Sequence, residues 1–175
     1  KAEKHEAAWQ TKWEKYTEHY TALASELDAR IQGKLPTNWE TLAQDYITQT
    51  VNEKQDTATR KASYQFLNAI APHLPAFMGG SADLSGSNLT NWKGCDVFSK
   101  ENPAGNYIHY GVREFGMTAI MNGMALHGGF IPFGGTFLTF SEYAKNAVRM
   151  AARTQSRVIM VYTPDPIRLA DDRHT

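Results

Sequence analysis

The sequence predicts an α/β fold with a parallel sheet flanked by helices, preceded by a helical connector. Two observations predict it. From about residue 58 onward, helical segments alternate with strand-like segments that are nearly continuous apolar runs, as strands buried on both faces are. Before that point, apolar residues follow a helical spacing with no strand between them. The chain therefore divides into a connector and a domain.

The connector is predicted over residues 1–55 as two helices. The first carries a single apolar stripe and ends near Gly33 and Pro36. Thr37 and Glu40 form a capping-box pattern that predicts the start of the second. Over so few heptads a coiled coil is one option, but packing on a neighbouring domain is favoured. The stripe consists of Trp9, Trp13, Tyr16, Tyr20, Leu23, Leu27 and Ile31.

The domain is predicted over residues 56–163. We expect a helix near 58–71, a strand at 76–80, a long loop, a helix over 111–127, a strand at 130–133, a helix through Met150 and a strand at 158–162. In the 111–127 helix the apolar residues recur every three or four positions, which predicts a stripe packed on the core. That stripe consists of Val112, Phe115, Ala119, Ile120, Met124 and Leu126.

Glu114 is the most informative residue of the domain, because this carboxylate lies among apolar side chains in the first turn of that helix. A surface acid stabilised by the helix dipole is one interpretation. An acid held for proton chemistry is the other. The preceding loop favours the second, since Asn106, Tyr107, His109 and Tyr110 could line a pocket.

Composition excludes several classes of protein. Eighteen basic and eighteen acidic residues balance, so we expect no nucleic-acid partner and no capture by an anionic membrane. No apolar run is long enough to span a bilayer, and the charged N-terminus is no signal peptide. The single cysteine, Cys95, excludes an internal disulfide framework and fits a reducing compartment. The expected location is the cytoplasm.

Six runs of the chain agree, in order, with one known family. The agreement extends over about a hundred residues and is far more specific than a lone glycine pattern. On these residues the chain resembles the transketolases, the thiamine-diphosphate enzymes of sugar-phosphate metabolism. The runs are 60–63, 79–84, 87–90, 105–116, 136–143 and 146–152.

The resemblance implies the pyrimidine-binding domain of a thiamine-diphosphate enzyme. Glu114 would hydrogen-bond N1′ of the aminopyrimidine ring and favour the imino tautomer, which activates C2 of the thiazolium. Exclusion of water would strengthen that hydrogen bond. Phe137, Phe140 and Tyr143, which their spacing alone assigns to a core, would wall the pocket around the flat ring.

The resemblance also implies contacts with sugar-phosphate substrates. Arg60 and Ser87 match positions that bind the substrate phosphate, where a guanidinium fork and a hydroxyl donate hydrogen bonds. Taken alone, they would be a surface charge and a turn residue. Asp83 would lie near the cofactor at a subunit boundary, with a turn or helix-capping role as the alternative. Asp172 falls at a substrate-binding aspartate, in surroundings that differ from the family pattern.

The family pattern is interrupted after Thr163. Pro164 stands where the family has a histidine that contacts substrate, and the chain stops before a second histidine would be reached. His174 matches no family histidine and is expected to be solvated. We expect 164–175 to be an atypical tail, as a truncation or a cloning junction would produce.

The parent enzyme implied by the resemblance is a homodimer with its active site at the subunit interface. Its ligands for Mg²⁺ or Ca²⁺ and its diphosphate-binding segment would lie in a domain upstream of the connector. The expected activity is transfer of a two-carbon ketol unit from a ketose phosphate to an aldose phosphate. We expect the chain alone to be inactive, because ring contacts cannot replace metal and diphosphate contacts. A dihydroxyacetone synthase and a non-catalytic assembly or ligand-binding domain are the alternatives.

Overall fold

The computed structural model describes residues 2–164, which form a helical segment followed by an α/β domain. The helical segment consists of α1 (Ala2–His19), α2 (Thr21–Ile31) and α3 (Trp39–Glu53). Among the helices of residues 2–164, none combines the length and the hydropathy that crossing a membrane requires.

The helical segment differs from the prediction in two places. Tyr20, with φ −130° and ψ 51°, interrupts the first predicted helix, so α1 and α2 replace it. Gly33 follows with φ +66°, in agreement with the predicted stop. The capping box of Thr37 with Glu40 was wrong, because Asn38 takes the N-cap position of α3 and no side chain caps that helix.

The apolar stripe of α1 and α2 lies at the surface. No residue of α1 is buried, and Trp9 and Tyr20 are 61% and 56% exposed. The rings of α1 stack on one another, with centroids 6.5 Å apart for Trp9 and Trp13 and 5.9 Å apart for Trp13 and Tyr16. Packing of this stripe on a neighbouring domain stays a prediction.

The domain contains a parallel sheet in the order β2-β1-β3-β4, which confirms the predicted fold class. Its strands are β1 (Phe77–Ser81), β2 (Tyr107–His109), β3 (Ile131–Phe137) and β4 (Ile159–Thr163). Its helices are α4 (Thr59–Ile70), α5 (Ser85–Asn88), α6 (Glu114–His127) and α7 (Ser141–Arg153), with 3₁₀ turns at Ala71–His73 and Leu138–Phe140. Among the strands only β2 was not predicted, because three residues are too few to show a pattern, and the short helix α5 lies in the segment predicted as a long loop.

An aromatic cluster fills the core on the α4 side of the sheet. The rings of Phe77 and Phe133, on adjacent strands, stack with centroids 4.4 Å apart. Trp92 lies 5.8 Å from Phe133 by the same measure and is 3% exposed, although its segment was predicted only as a loop. Leu67 and Ile70 of α4 cover this cluster. The cluster therefore fixes β1 and β3 against α4.

The predicted core-facing stripe of α6 was wrong. Val112, Ile120 and Leu126 are 75%, 50% and 63% exposed, whereas Met117 and Met121 are buried. The reason lies on β3, where a Cβ atom at Gly134 would meet the sulfur atoms of both methionines. The missing side chain lets this other face of α6 approach the sheet, and a second apolar face remains outside.

Candidate active site

The carboxyl ends of the strands meet at one edge of the sheet, because the strands are parallel. From β1 the chain passes to β2 on one side and then to β3 on the other, so the winding reverses between β1 and β3. Open parallel sheets bind ligands in the crevice at such a reversal, beyond the carboxyl ends. The predicted site residues at or just after these strand ends are Asp83, Ser87, Glu114, Phe137, Phe140 and Tyr143.

Glu114 is the first residue of α6 and is buried, at 6% exposed. A surface acid is therefore the wrong interpretation. Its Oε1 accepts a hydrogen bond from the hydroxyl of Thr136, 3.4 Å away and itself fully buried on β3. The helix N-terminus favours the negative charge, and neither ion pair recorded within residues 2–164 involves Glu114. A carboxylate held in this way can share a proton with a ligand.

Three aromatic side chains follow one another from the end of β3 into α7. The ring centroids of Phe137 and Phe140 are 5.7 Å apart, and those of Phe140 and Tyr143 are 5.9 Å apart. Phe137 is 7% exposed and Tyr143 is 68% exposed, so the row runs from the interior to the surface. A core role would bury all three rings, and this arrangement does not. The outer rings offer flat apolar faces to a partner or ligand.

The loop after β1 holds Ser87 within α5, a helix of only four residues. Asp83 before it and Leu89 after it have left-handed backbone angles, with φ +60° and φ +53°. Such angles are costly for residues with a side chain and persist only where the surrounding structure enforces them. Aspartate adopts a left-handed angle more readily than leucine does. The angle at Asp83 is therefore compatible with a turn role, the alternative given for this residue in the sequence analysis.

A buried hydrogen-bond network that the sequence did not reveal holds α5 against the sheet. Asn88 is fully buried, its Oδ1 accepting from the hydroxyl of Ser81 at 2.7 Å and its Nδ2 donating to the hydroxyl of Thr163 at 2.7 Å. The Ser81 hydroxyl also lies 3.0 Å from the carbonyl oxygen of Gly135. Locally, a buried asparagine and a turn asparagine look alike in sequence, so no signal was available.

Arg60 is positioned by α4, which precedes β1 in the chain. Arg60 is half-buried in the first turn of α4, at the opposite end of that helix from the turn that leads into β1. Among the residues described, no hydrogen bond or ion pair joins Arg60 to Ser87 or Glu114. Asp172 lies outside the described residues.

Two aromatic residues predicted to line a pocket belong to the core instead. Tyr107 is 1% exposed and its hydroxyl lies 2.8 Å from that of Thr90. Tyr110 is 5% exposed and packs against Met117 and Met121. The prediction failed because Tyr107 belongs to the short strand β2, whose side chains pack between the sheet and its neighbours. Of the four residues predicted to line a pocket, Tyr107 and Tyr110 are therefore unavailable, and Asn106 and His109 remain.

Replacing Tyr110 by phenylalanine should leave stability at neutral pH unchanged or raise it by about 1 kcal/mol, because its buried hydroxyl has no hydrogen-bond partner within residues 2–164. Burial and the nearby Tyr107 raise the pKa of Tyr110 above its ordinary 10.0. As the pH rises above about 10, the unfolded chain loses the hydroxyl proton of Tyr110 while the folded chain still keeps it. The free energy of unfolding therefore falls as the pH rises. Urea unfolding at pH 7 and 10.5 should therefore show a smaller alkaline loss in Tyr110→Phe; an equal loss would contradict this.

A groove of about 640 Å³ lies elsewhere, at the amino edge of the sheet. Trp39, Phe66 and Phe77 are among its lining residues, and none of the predicted site residues is.

Cys95 is no candidate for a nucleophile, because burial and then the adjacent Asp96 raise the pKa of its thiol. Glu114 and Asp83, the described acids among the predicted site residues, lie instead at the carboxyl edge.

Comparison with known families gives one match over most of the chain. The family described as "Transketolase, pyrimidine binding domain" matches residues 55–175. This match runs past Thr163, so the departures in 164–175 lie within the matched region and not beyond it.

Curated relatives match all or nearly all of the chain. Transketolase 2 of Escherichia coli (strain K12) is 55% identical over 175 residues, which are 100% of this chain and 26% of that protein. Transketolase 1 of Vibrio cholerae is 53% identical over 170 residues, or 97% of this chain and 26% of that protein. The chain thus spans about a quarter of the length of these relatives.

Solved structures agree with the sequence relatives. Transketolase from Leishmania mexicana superposes with a TM-score of 0.82 at 42% identity, over 95% of this chain and 24% of that one. A transketolase from Pichia stipitis in complex with sedoheptulose-7-phosphate gives a TM-score of 0.83 at 39% identity, over 95% of this chain and 25% of that one.

Proposed function

Because this chain belongs to the transketolase pyrimidine-binding domain family, we propose that it forms the part of a transketolase that receives the aminopyrimidine ring of thiamine diphosphate. The observation that carries the proposal is the buried carboxylate of Glu114 at the carboxyl edge of the sheet. The whole enzyme would transfer a two-carbon ketol unit from a ketose phosphate to an aldose phosphate.

The side chains at this edge fit the ring half of the cofactor. Glu114 would hold a proton between its carboxyl group and a ring nitrogen, and the hydroxyl of Thr136 would fix the carboxyl orientation. Phe137, Phe140 and Tyr143 would pack on the flat ring and exclude water, which strengthens the hydrogen bond. When bound, thiamine diphosphate supplies the nucleophilic carbon that takes up the ketol unit.

The other half of the cofactor requires groups beyond this domain. Within residues 2–164, no three His, Cys, Asp or Glu side chains form a group that could hold a metal ion. We therefore assign Mg²⁺ or Ca²⁺ and the diphosphate to another domain of the parent protein. The connector, 1–55, would join that domain to the pyrimidine-binding domain, 56–163.

A homodimer would complete the site. Large apolar side chains next to Glu114 and Phe137 in the chain are exposed: Val112 by 75%, Phe115 by 52% and Leu138 by 54%. Exposed apolar groups at a binding edge suit burial by a second subunit.

The proposed location of the enzyme is the cytoplasm, which a single cysteine fits.

Sugar phosphates are the proposed substrates. Arg60 and Ser87 would bind the phosphate, and Asp83 would lie near the cofactor where the two subunits meet. The half-buried position of Arg60 and the constrained loop around Ser87 support these roles, because binding groups need fixed positions. Asp172 would contact substrate.

A chimera tests the proposed function. The chain would replace the matching quarter of Escherichia coli transketolase 2, in one version over residues 1–175 and in another over 1–163 only. With thiamine diphosphate and Mg²⁺, at least the second version should catalyse ketol transfer. A dimer of normal thermal stability that shows no transfer in either version would overturn the proposal. Activity of the second version alone would assign the defect to 164–175.

Ser87→Ala in the active chimera should raise KM for a phosphorylated aldose about tenfold, because a hydrogen bond to a charged group contributes about 1.5–3 kcal/mol. KM for the same aldose without its phosphate should not change. Ser99→Ala is the control, since Ser99 lies in a turn and bonds to Glu101 and Asn102. Equal changes for both aldoses would contradict a phosphate contact.

A further inference from the structure

Asn88 links the loop of Ser87 to three strands at once. Its side chain bonds to Ser81, the last residue of β1, and to Thr163, the last residue of β4. Through Ser81 the network reaches the backbone of Gly135 on β3. Ser81 and Thr163, the two hydrogen-bond partners of Asn88, are themselves only 2% and 4% exposed. Water therefore cannot replace these hydrogen bonds, and the amide orientation is fixed by them.

The packing around Asn88 leaves little freedom. A Cβ atom at Gly135 would lie 2.7 Å from Cγ2 of Thr90 and 3.4 Å from Cβ of Asn88. The loop thus rests directly on the backbone of β3. Any shift of α5 toward or away from the sheet must break a buried hydrogen bond or open a gap.

The same network explains how a strained residue is held beside the site. Leu89, which follows Asn88, has φ +53°. Its N–H donates to the carbonyl oxygen of Ser85 at 2.9 Å, so the turn closes on itself around Ser87. A four-residue helix has too few backbone hydrogen bonds to keep such a geometry alone.

We propose that Asn88 is a positioning residue for phosphate recognition: by tying α5 to the ends of β1 and β4 it fixes the hydroxyl of Ser87 toward the phosphate of the substrate. This inference rests on the proposed function. Its specific consequence is that the interior network controls the affinity for phosphorylated substrates, and not the chemistry at Glu114.

The experiment uses the active chimera with an unphosphorylated ketol donor and one aldose, with and without its terminal phosphate. Asn88→Ala and Thr163→Val should each raise KM for the phosphorylated aldose about ten- to a hundredfold, the range that misplacement of a contact produces. KM for the unphosphorylated aldose and kcat should stay within about twofold. Thr163→Ser, which keeps the hydroxyl, should behave as the parent.

A second readout is independent of activity. Backbone amide exchange over 85–89 should accelerate at least about tenfold in Asn88→Ala and Thr163→Val, because α5 loses its anchors. Asn68→Ala is the matched control: Asn68 is partly buried and makes two hydrogen bonds, to Tyr64 and Lys93, away from α5. It should change neither readout.

Several outcomes would overturn the inference. They are equal KM changes with both aldoses, a fall in kcat alone, unchanged exchange of α5, or a Thr163→Val enzyme identical to the parent. Thr163→Val keeps the side-chain volume, so it remains informative if Asn88→Ala fails to fold. If Ser87→Ala leaves KM unchanged in an active chimera, the phosphate role of this loop fails while the proposed function stands. An inactive, folded chimera overturns the proposed function itself.

Discussion

Glu114→Gln in the active chimera should lower kcat by at least about a hundredfold, the low end of what a positioned acid or base contributes. Glutamine keeps the size of the side chain, and its amide oxygen can still accept the hydrogen bond of Thr136. What it loses is the ability to give up and regain a proton. We therefore expect folding to be retained while turnover is lost, as measured by steady-state kinetics beside thermal unfolding.

Glu142→Gln is the control for this change. Glu142 also lies in the first turn of a helix, but it is exposed and pairs with Lys145 at 3.2 Å. Exposed pairs of this kind contribute little, so its kcat should equal that of the parent. A Glu114→Gln enzyme with full kcat would remove the basis of the proposed function. A loss shared by both variants would point to a general effect of helix charge.

Thr136 gives a structural reason to expect this separation of chemistry from folding. It lies three residues after Phe133 on β3, so the two side chains point to opposite faces of the sheet. Phe133 belongs to the core on the α4 side, whereas Thr136 meets Glu114 on the α6 side. Removal of the Phe133 side chain therefore leaves the contact between Thr136 and Glu114 on the other face of β3.

The sequence predicted the sheet well because each signal was local. Apolar runs marked β1, β3 and β4, and a helical spacing marked the helices between them. The helix predicted over 111–127 is also present, as α6, although it begins at Glu114 and not at 111. These features depend on neighbours in the chain, so no knowledge of the packing was required.

The features that were missed depend on distant contacts. Gly134 lies on β3, and the space it leaves decides which face of α6 is buried. The spacing of apolar residues within α6 cannot show this. Asn88 meets Thr163 across 75 positions of sequence. Tyr107 was assigned to a pocket because β2 is too short to be recognised. Family resemblance supplied candidate roles, but it did not supply the interior contacts that hold them.

Phe133→Ala should produce the largest loss of stability, about 3–5 kcal/mol in the free energy of unfolding. Phe133 is 0% exposed and its ring meets Phe77 and Trp92 at centroid distances of 4.4 and 5.8 Å. A ring-sized cavity between β1 and β3 cannot close, because the neighbouring rings are fixed by their own packing. Domains are stable by only about 5–15 kcal/mol, so this variant should unfold at much lower urea concentration.

Phe115→Ala is the matched control, since the same group is removed from a side chain that is 52% exposed on α6. In the isolated chain it should change stability by less than about 1 kcal/mol. In the chimera, Phe133→Ala should lower the temperature at which activity is lost but leave kcat near the parent value well below that temperature. Its side chain lies on the face of β3 opposite Thr136, so Glu114 keeps its partner until the sheet unfolds. A fall in kcat at low temperature would mean that the two faces of β3 are coupled.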